Sequence, residues 1–60
     1  MNQEDIKIAR LQAKLSQTEL AQLMDVSPRT IGTWEHGRGR CSPYMLKRIE
    51  LTLKMLPQKP

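Results

Sequence analysis

The chain has 60 residues, enough for one domain at most, since a typical single core takes roughly 100–150. One cysteine (Cys41) and one histidine (His36) exclude an intramolecular disulfide and fall short of a four-ligand structural zinc site, leaving helix packing or self-association as the source of stability. Ten Lys and Arg against six Asp and Glu give a net charge of +4 and a pI near 9.7, the sign of imbalance that nucleic acids attract.

Taken in chain order, the first start signal is the weakest: Asn2 as a cap, with Asp5 three residues on and Met1 and Ile6 flanking it. It opens a helix predicted over 3–14. Ser16 is the clearest cap, because Glu19 completes a capping box and Leu15 and Leu20 occupy the staple positions on either side. It starts a helix over 17–24. Ser27 follows, with Pro28 at the first helical position, where its missing N–H costs nothing, and with Val26 and Ile31 as staple. That helix runs over 28–36, and Gly37 suits the left-handed residue that ends it. Ser42 repeats the design with Pro43, Cys41 and Leu46, predicting a helix over 43–56 that Pro57 stops. No stretch alternates with the period of a strand, so the fold class is all-α. Residues 1–56 form the domain and 57–60 a tail.

The second and third helices are separated only by Asp25-Val26-Ser27, a connection that fits a helix-turn-helix crossing at roughly 90–120°. Burial is then required at Leu20, Ala21, either Leu23 or Met24, Val26, Ile31 and Trp34. Ala21 is informative, because a small side chain lets two helices cross closely. Pro28, Arg29, Gly32, Thr33 and His36 share the outer face of the third helix, with Thr30 at its margin. The leading end of that helix is the part that enters a major groove.

Three segments, Leu15-Ser16-Gln17-Thr18-Glu19-Leu20-Ala21, Val26-Ser27-Pro28-Arg29-Thr30-Ile31 and Trp34-Glu35-His36-Gly37-Arg38, resemble the phage-repressor-type (XRE, Cro/CI-like) helix-turn-helix family. The likeness runs from about Ile6 to Leu53, and Val26 through Ile49 is most similar to its small antitoxin branch. The resemblance implies a lambda-repressor-like bundle of four or five short helices, a phosphate contact at Gln17 and groove-facing residues at Pro28, Arg29, Thr30, Gly32, Thr33 and His36. It also implies an ion pair between Arg10 and Glu35. The chain departs from the pattern at Asp25, where the turn usually holds glycine, at Gly39 in place of a second arginine, and at Cys41 in place of a proline. A fifth helix common in larger members is absent.

Arg29 is suited to pair bidentately with a guanine edge, its alternative being a phosphate contact only. Thr33 fits either a thymine methyl or a phosphate. Gly32, a poor helix former, fits close approach to DNA. Gln17 and Thr18 open a helix whose free N–H groups suit phosphate, and Ser27 lies at the next such end. Arg38 and Arg40 flank Gly39 in a basic loop whose pull on a phosphate backbone would weaken with salt. Trp34 reads as core, and His36 fits either the groove or its own helix dipole.

A second apolar face is expected opposite the core. Met45, Leu46, Ile49, Leu53 and Leu56 line the inner stripe of the last helix, while Tyr44, Leu51 and Met55 lie across from it. In the first helix Ile6, Ala9 and Ala13 oppose Ile8 and Leu11. Tyr44, Leu51, Met55, Ile8 and Leu11 are therefore the candidate homodimer interface.

The expectation is a sequence-specific double-stranded-DNA-binding transcriptional regulator, a repressor of a phage or mobile element. It would bind a palindromic, inverted-repeat operator as a homodimer through the helix at 28–36, with half-sites about 34–36 Å apart. The alternative is an antitoxin-like protein whose main role is to bind a protein partner, a toxin. No enzyme activity, metal or cofactor is expected, because no acid–base pair, nucleophile–base pair or ligand cluster is present. No apolar run is long enough to cross a bilayer, and the polar, acidic N-terminus is unlike a secretory signal, so a cytoplasmic location is expected.

Overall fold

A computed structural model describes residues 1–56; the tail at 57–60 lies outside the described residues. The chain opens with a 3-10 turn, Gln3–Asp5, that leads directly into α1, Ile6–Gln12. After it come α2, Gln17–Met24, α3, Pro28–Glu35, and α4, Pro43–Met55, and no strand occurs among the described residues.

The starts are made as the caps require. Ser16 Oγ accepts the Glu19 N–H at 3.0 Å, and Glu19 returns a bond to the Ser16 N–H at 2.9 Å. Ser27 and Ser42 each accept from the N–H three residues on, both at 3.2 Å, with proline leading each helix. At the first start the Asp5 carboxylate accepts the Asn2 N–H at 3.1 Å. One turn of 3-10 geometry here replaces the continuous helix expected over 3–14.

Three helices end by the same device. In each, a residue at the cap or just past it turns left-handed, and two N–H groups reach back to the last carbonyls, which a helix end otherwise leaves without partners. Gly37 does this after α3, at φ 71°, with Arg38 N–H donating to Thr33 at 3.0 Å. Asp25 does it after α2, at φ 58°, with Val26 N–H donating to Ala21 at 3.0 Å. Lys14 does it after α1, at φ 59°, with Leu15 N–H donating to Arg10 at 3.1 Å. Lysine carries no turn signal, so the apolar pattern alone runs the first helix past the point where it stops.

The core is Ile6, Leu20, Ala21, Met24, Ile31, Cys41 and Ile49, with Met1, Val26, Trp34, Met45, Leu46 and Leu53 packed around it. Each helix and the loop before α4 contributes at least one buried side chain. Between the two candidates near the end of α2, Met24 is buried and Leu23 is exposed. Ala21 is 1% exposed in α2, the helix that packs most extensively against α3. Burial pushes the Cys41 thiol above its usual 9.0, which keeps it protonated at neutral pH.

Candidate nucleic-acid interface

The geometry of α3 is set from beneath by a polar network. Arg10 donates from Nε and Nη2 to the two carboxylate oxygens of Glu35, at 2.7 and 3.2 Å. Its third nitrogen donates to the Leu15 carbonyl at 2.8 Å, tying α1 to the entry of α2. Gln17 Nε2 donates to Glu35 Oε1 at 3.1 Å. One carboxylate thus joins α1, α2 and α3. The ion pair is buried, the side chains of Arg10 and Glu35 being 9% and 2% exposed, so it is not a surface pair of small worth. Burial works against the Glu35 charge, but bonds from Arg10 and Gln17, with the charges of Arg10 and Lys7, outweigh it and hold the carboxyl below its ordinary range.

Above this network α3 presents an open, shallow depression lined by Gln17, Pro28, Arg29, Gly32, Thr33, His36 and Arg38. Pro28, Arg29, His36 and Arg38 are exposed, and Gln17, Gly32 and Thr33 are half-buried. Arg40 lines a neighbouring depression with Gln3, Glu4, Gly37, Arg38 and Gly39. Thr18 is exposed in the first turn of α2. Among the described residues no carboxylate forms an ion pair with Arg29, Arg38 or Arg40.

Several of these side chains also have structural duties. Ser27 Oγ caps α3 and lies 2.9 Å from Thr30 Oγ1, so each hydroxyl is already engaged with the other. Thr33 Oγ1 donates to the Arg29 carbonyl at 2.9 Å, and a Cβ built on Gly39 would come within 2.7 Å of its methyl carbon. Both ends of Thr33 are therefore used within the chain. Gln17 lies across Gly32, where an added Cβ would meet its amide nitrogen at 3.6 Å, an ordinary contact. His36 is the cap residue at the end of α3.

The residues of the second face, Tyr44, Leu51 and Met55 on α4 and Ile8 and Leu11 on α1, are all exposed, Tyr44 by 71% and Met55 by 84%. No group of His, Cys, Asp and Glu among the described residues is arranged to hold a metal, and no helix among them is long and apolar enough to cross a membrane. Nothing in the local sequence pattern marks Gln3 or Gly39, yet both shape the loop that carries Arg38 and Arg40.

Two short helices packed together across a three-residue connection, with a cationic and open face on the second, define a helix-turn-helix DNA-binding regulator. The helix-turn-helix family pattern matches residues 6–57, and the chain belongs to that family, the phage-repressor-type (XRE, Cro/CI-like) proteins that bind double-stranded DNA and regulate transcription. No curated protein and no solved structure matches it.

Proposed function

We propose that the protein is a repressor that binds an inverted-repeat operator as a homodimer, laying the N-terminal half of α3 in the major groove. The observation that carries this reading is the outer face of α3, where Arg29 is exposed beside Gly32 with no ion pair among the described residues. Arg29 reads a base edge, with guanine O6 and N7 as the matching acceptor pair. Gly32 lets the backbone of α3 approach the duplex. Gln17, Thr18, Arg38 and Arg40 contact phosphates on either side, and Ser27, Pro28, Thr30, Thr33 and His36 line the approach. Thr33 has its hydroxyl proton committed to the Arg29 carbonyl, and one of the Ser27 and Thr30 hydroxyls donates to the other, so these three contribute shape and helix placement and at most one hydroxyl of the pair keeps a proton to offer.

Two copies associate through Tyr44, Leu51 and Met55, with Ile8 and Leu11 at the margin, which removes five exposed apolar side chains from water. Selection of bound sequences from a pool of random duplexes tests the whole proposal. A symmetric motif with half-sites about one helical turn apart supports it. An asymmetric motif of a single half-site overturns the dimer, and recovery of no motif overturns sequence-specific repression. Purification in fixed proportion with a different small protein, with no homodimer formed, would favour a partner-neutralising role instead.

A further inference from the structure

We infer that Gln3 is a positioning residue for DNA binding: its amide holds the loop between α3 and α4 so that Arg38 and Arg40 meet the phosphate backbone at a fixed distance from α3. The inference rests on the phosphate role proposed above for those two arginines.

A primary amide has two N–H donors and one carbonyl acceptor, and here each finds main chain of the loop or of the helical turn that leads into it. Gln3 Nε2 donates to the Trp34 carbonyl at 3.0 Å and to the Gly39 carbonyl, while Gln3 Oε1 accepts the Cys41 N–H at 2.9 Å. These partners mark the last turn of α3, the middle of the loop and the residue where the loop enters the core. One side chain from the far end of the sequence therefore spans the arch from which Arg38 and Arg40 project.

The turn at Gly37, where the Arg38 N–H donates to the Thr33 carbonyl, and the buried Cys41 fix the two ends of that arch, and Gln3 is the side chain that bonds its middle, at Gly39. Nothing lies within 4 Å of a Cβ built on Gly37, and Arg38 and Arg40 are exposed. On the inner side Gly39 is pressed so close to Thr33 that a Cβ there would come within 2.7 Å of the threonine methyl carbon. The loop is thus drawn in against α3, with Gln3 holding it from one side and Gly39 admitting the approach on the other. Gln3 itself is fixed in the opening 3-10 turn, which the Asn2 and Asp5 pairing closes. An arginine on a fixed loop loses less freedom on meeting a phosphate than one on a loose loop, so the amide acts on binding through Arg38 and Arg40.

The test needs no knowledge of the operator. Binding to a fluorescently labelled random-sequence duplex is measured by anisotropy over a range of salt concentrations. The proteins compared are wild type, Gln3→Met, which keeps the volume and removes the amide, Gln3→Glu, which keeps the acceptor and removes both donors, Arg38→Ala/Arg40→Ala, and the combination of Gln3→Met with the two arginine changes. Each is also made in the Lys14→Gly background, where glycine suits the left-handed backbone at φ 59°, so that a loss of folding does not hide the result, and helical circular dichroism establishes that every titrated sample is folded.

The expected result is a salt dependence shallower by about 1 to 2 in log–log slope for Gln3→Met and Gln3→Glu, as for loss of one or two phosphate contacts. Adding Gln3→Met to the arginine double variant should then change nothing further. Gln3 variants with wild-type affinity and slope, beside an arginine variant that has lost both, overturn the positioning role alone. So does a Gln3→Met loss that adds in full to the arginine loss. An arginine double variant that binds like wild type overturns the phosphate assignment itself and this inference with it.

Discussion

Arg10 and Arg29 are the same side chain in opposite settings. Arg10 is buried in the seam between α1 and α3, and its three donor nitrogens are all committed, to Glu35 and to the Leu15 carbonyl. Arg29 stands exposed on the outer face of α3 with no ion pair among the described residues. The seam orients the recognition helix, and the outer face is left free to be read by a partner. A guanidinium serves either end because it is always charged and presents its donors in a rigid fork. What separates structural from recognition use is whether the chain itself supplies the acceptors.

Changing the seam should have the largest effect. Arg10→Met strands the Glu35 carboxylate in the interior and should destabilise the fold by about 3–5 kcal/mol, enough to unfold a domain of this size. Thermal or urea melts would show it. Replacing both partners with apolar residues should recover most of the loss, and failure to recover would mean that the pair contributes more than its burial costs.

Acid acts on the same carboxylate. A carboxyl held below its ordinary value stabilises the fold fully above the unfolded value of 4.5, and that contribution disappears as pH falls through the lower, folded value. Stability measured across this range should therefore fall more steeply for wild type than for Glu35→Gln. Equal slopes would remove Glu35 from the acid transition.

On the outer face the signs change. Arg29→Ala should leave the melting curve within about 0.5 kcal/mol of wild type, as surface changes do. Binding to a selected operator should weaken by about 1–3 kcal/mol, with little change on random DNA. Equal losses on both duplexes would make Arg29 a phosphate contact only. Gly32→Ala gives the smallest and sharpest contrast. The added methyl meets Gln17 at ordinary contact distance, so the helix should gain up to about 1 kcal/mol while operator binding falls. An alanine variant both more stable and equally tight in binding would show that the glycine has no role at the duplex.

The parts of the fold legible in the sequence are those decided within a few residues. The caps at Ser16, Ser27 and Ser42 and the left-handed turn at Gly37 each follow from neighbours one to four positions away. The end of α1 was not legible, because Lys14 adopts a left-handed turn without the residue type that usually announces it. Arg10 and Glu35 could be paired only through family resemblance, since nothing local joins residues on different helices. Gln3 had no signal at all, its partners lying 31, 36 and 38 positions away. The outer face of α3 could be placed by helical period, but the internal engagement of Ser27, Thr30 and Thr33 required their side-chain geometry.

Cys41 gives the molecule a reporter of its own. It is the only thiol in the chain, 4% exposed, and its main chain is held by Gln3 where the arginine loop joins α4. A maleimide or disulfide reagent can modify it only during excursions that expose this junction, so the labelling rate clocks how often the region breathes, without any engineered probe. Duplex DNA that braces the loop should slow that clock.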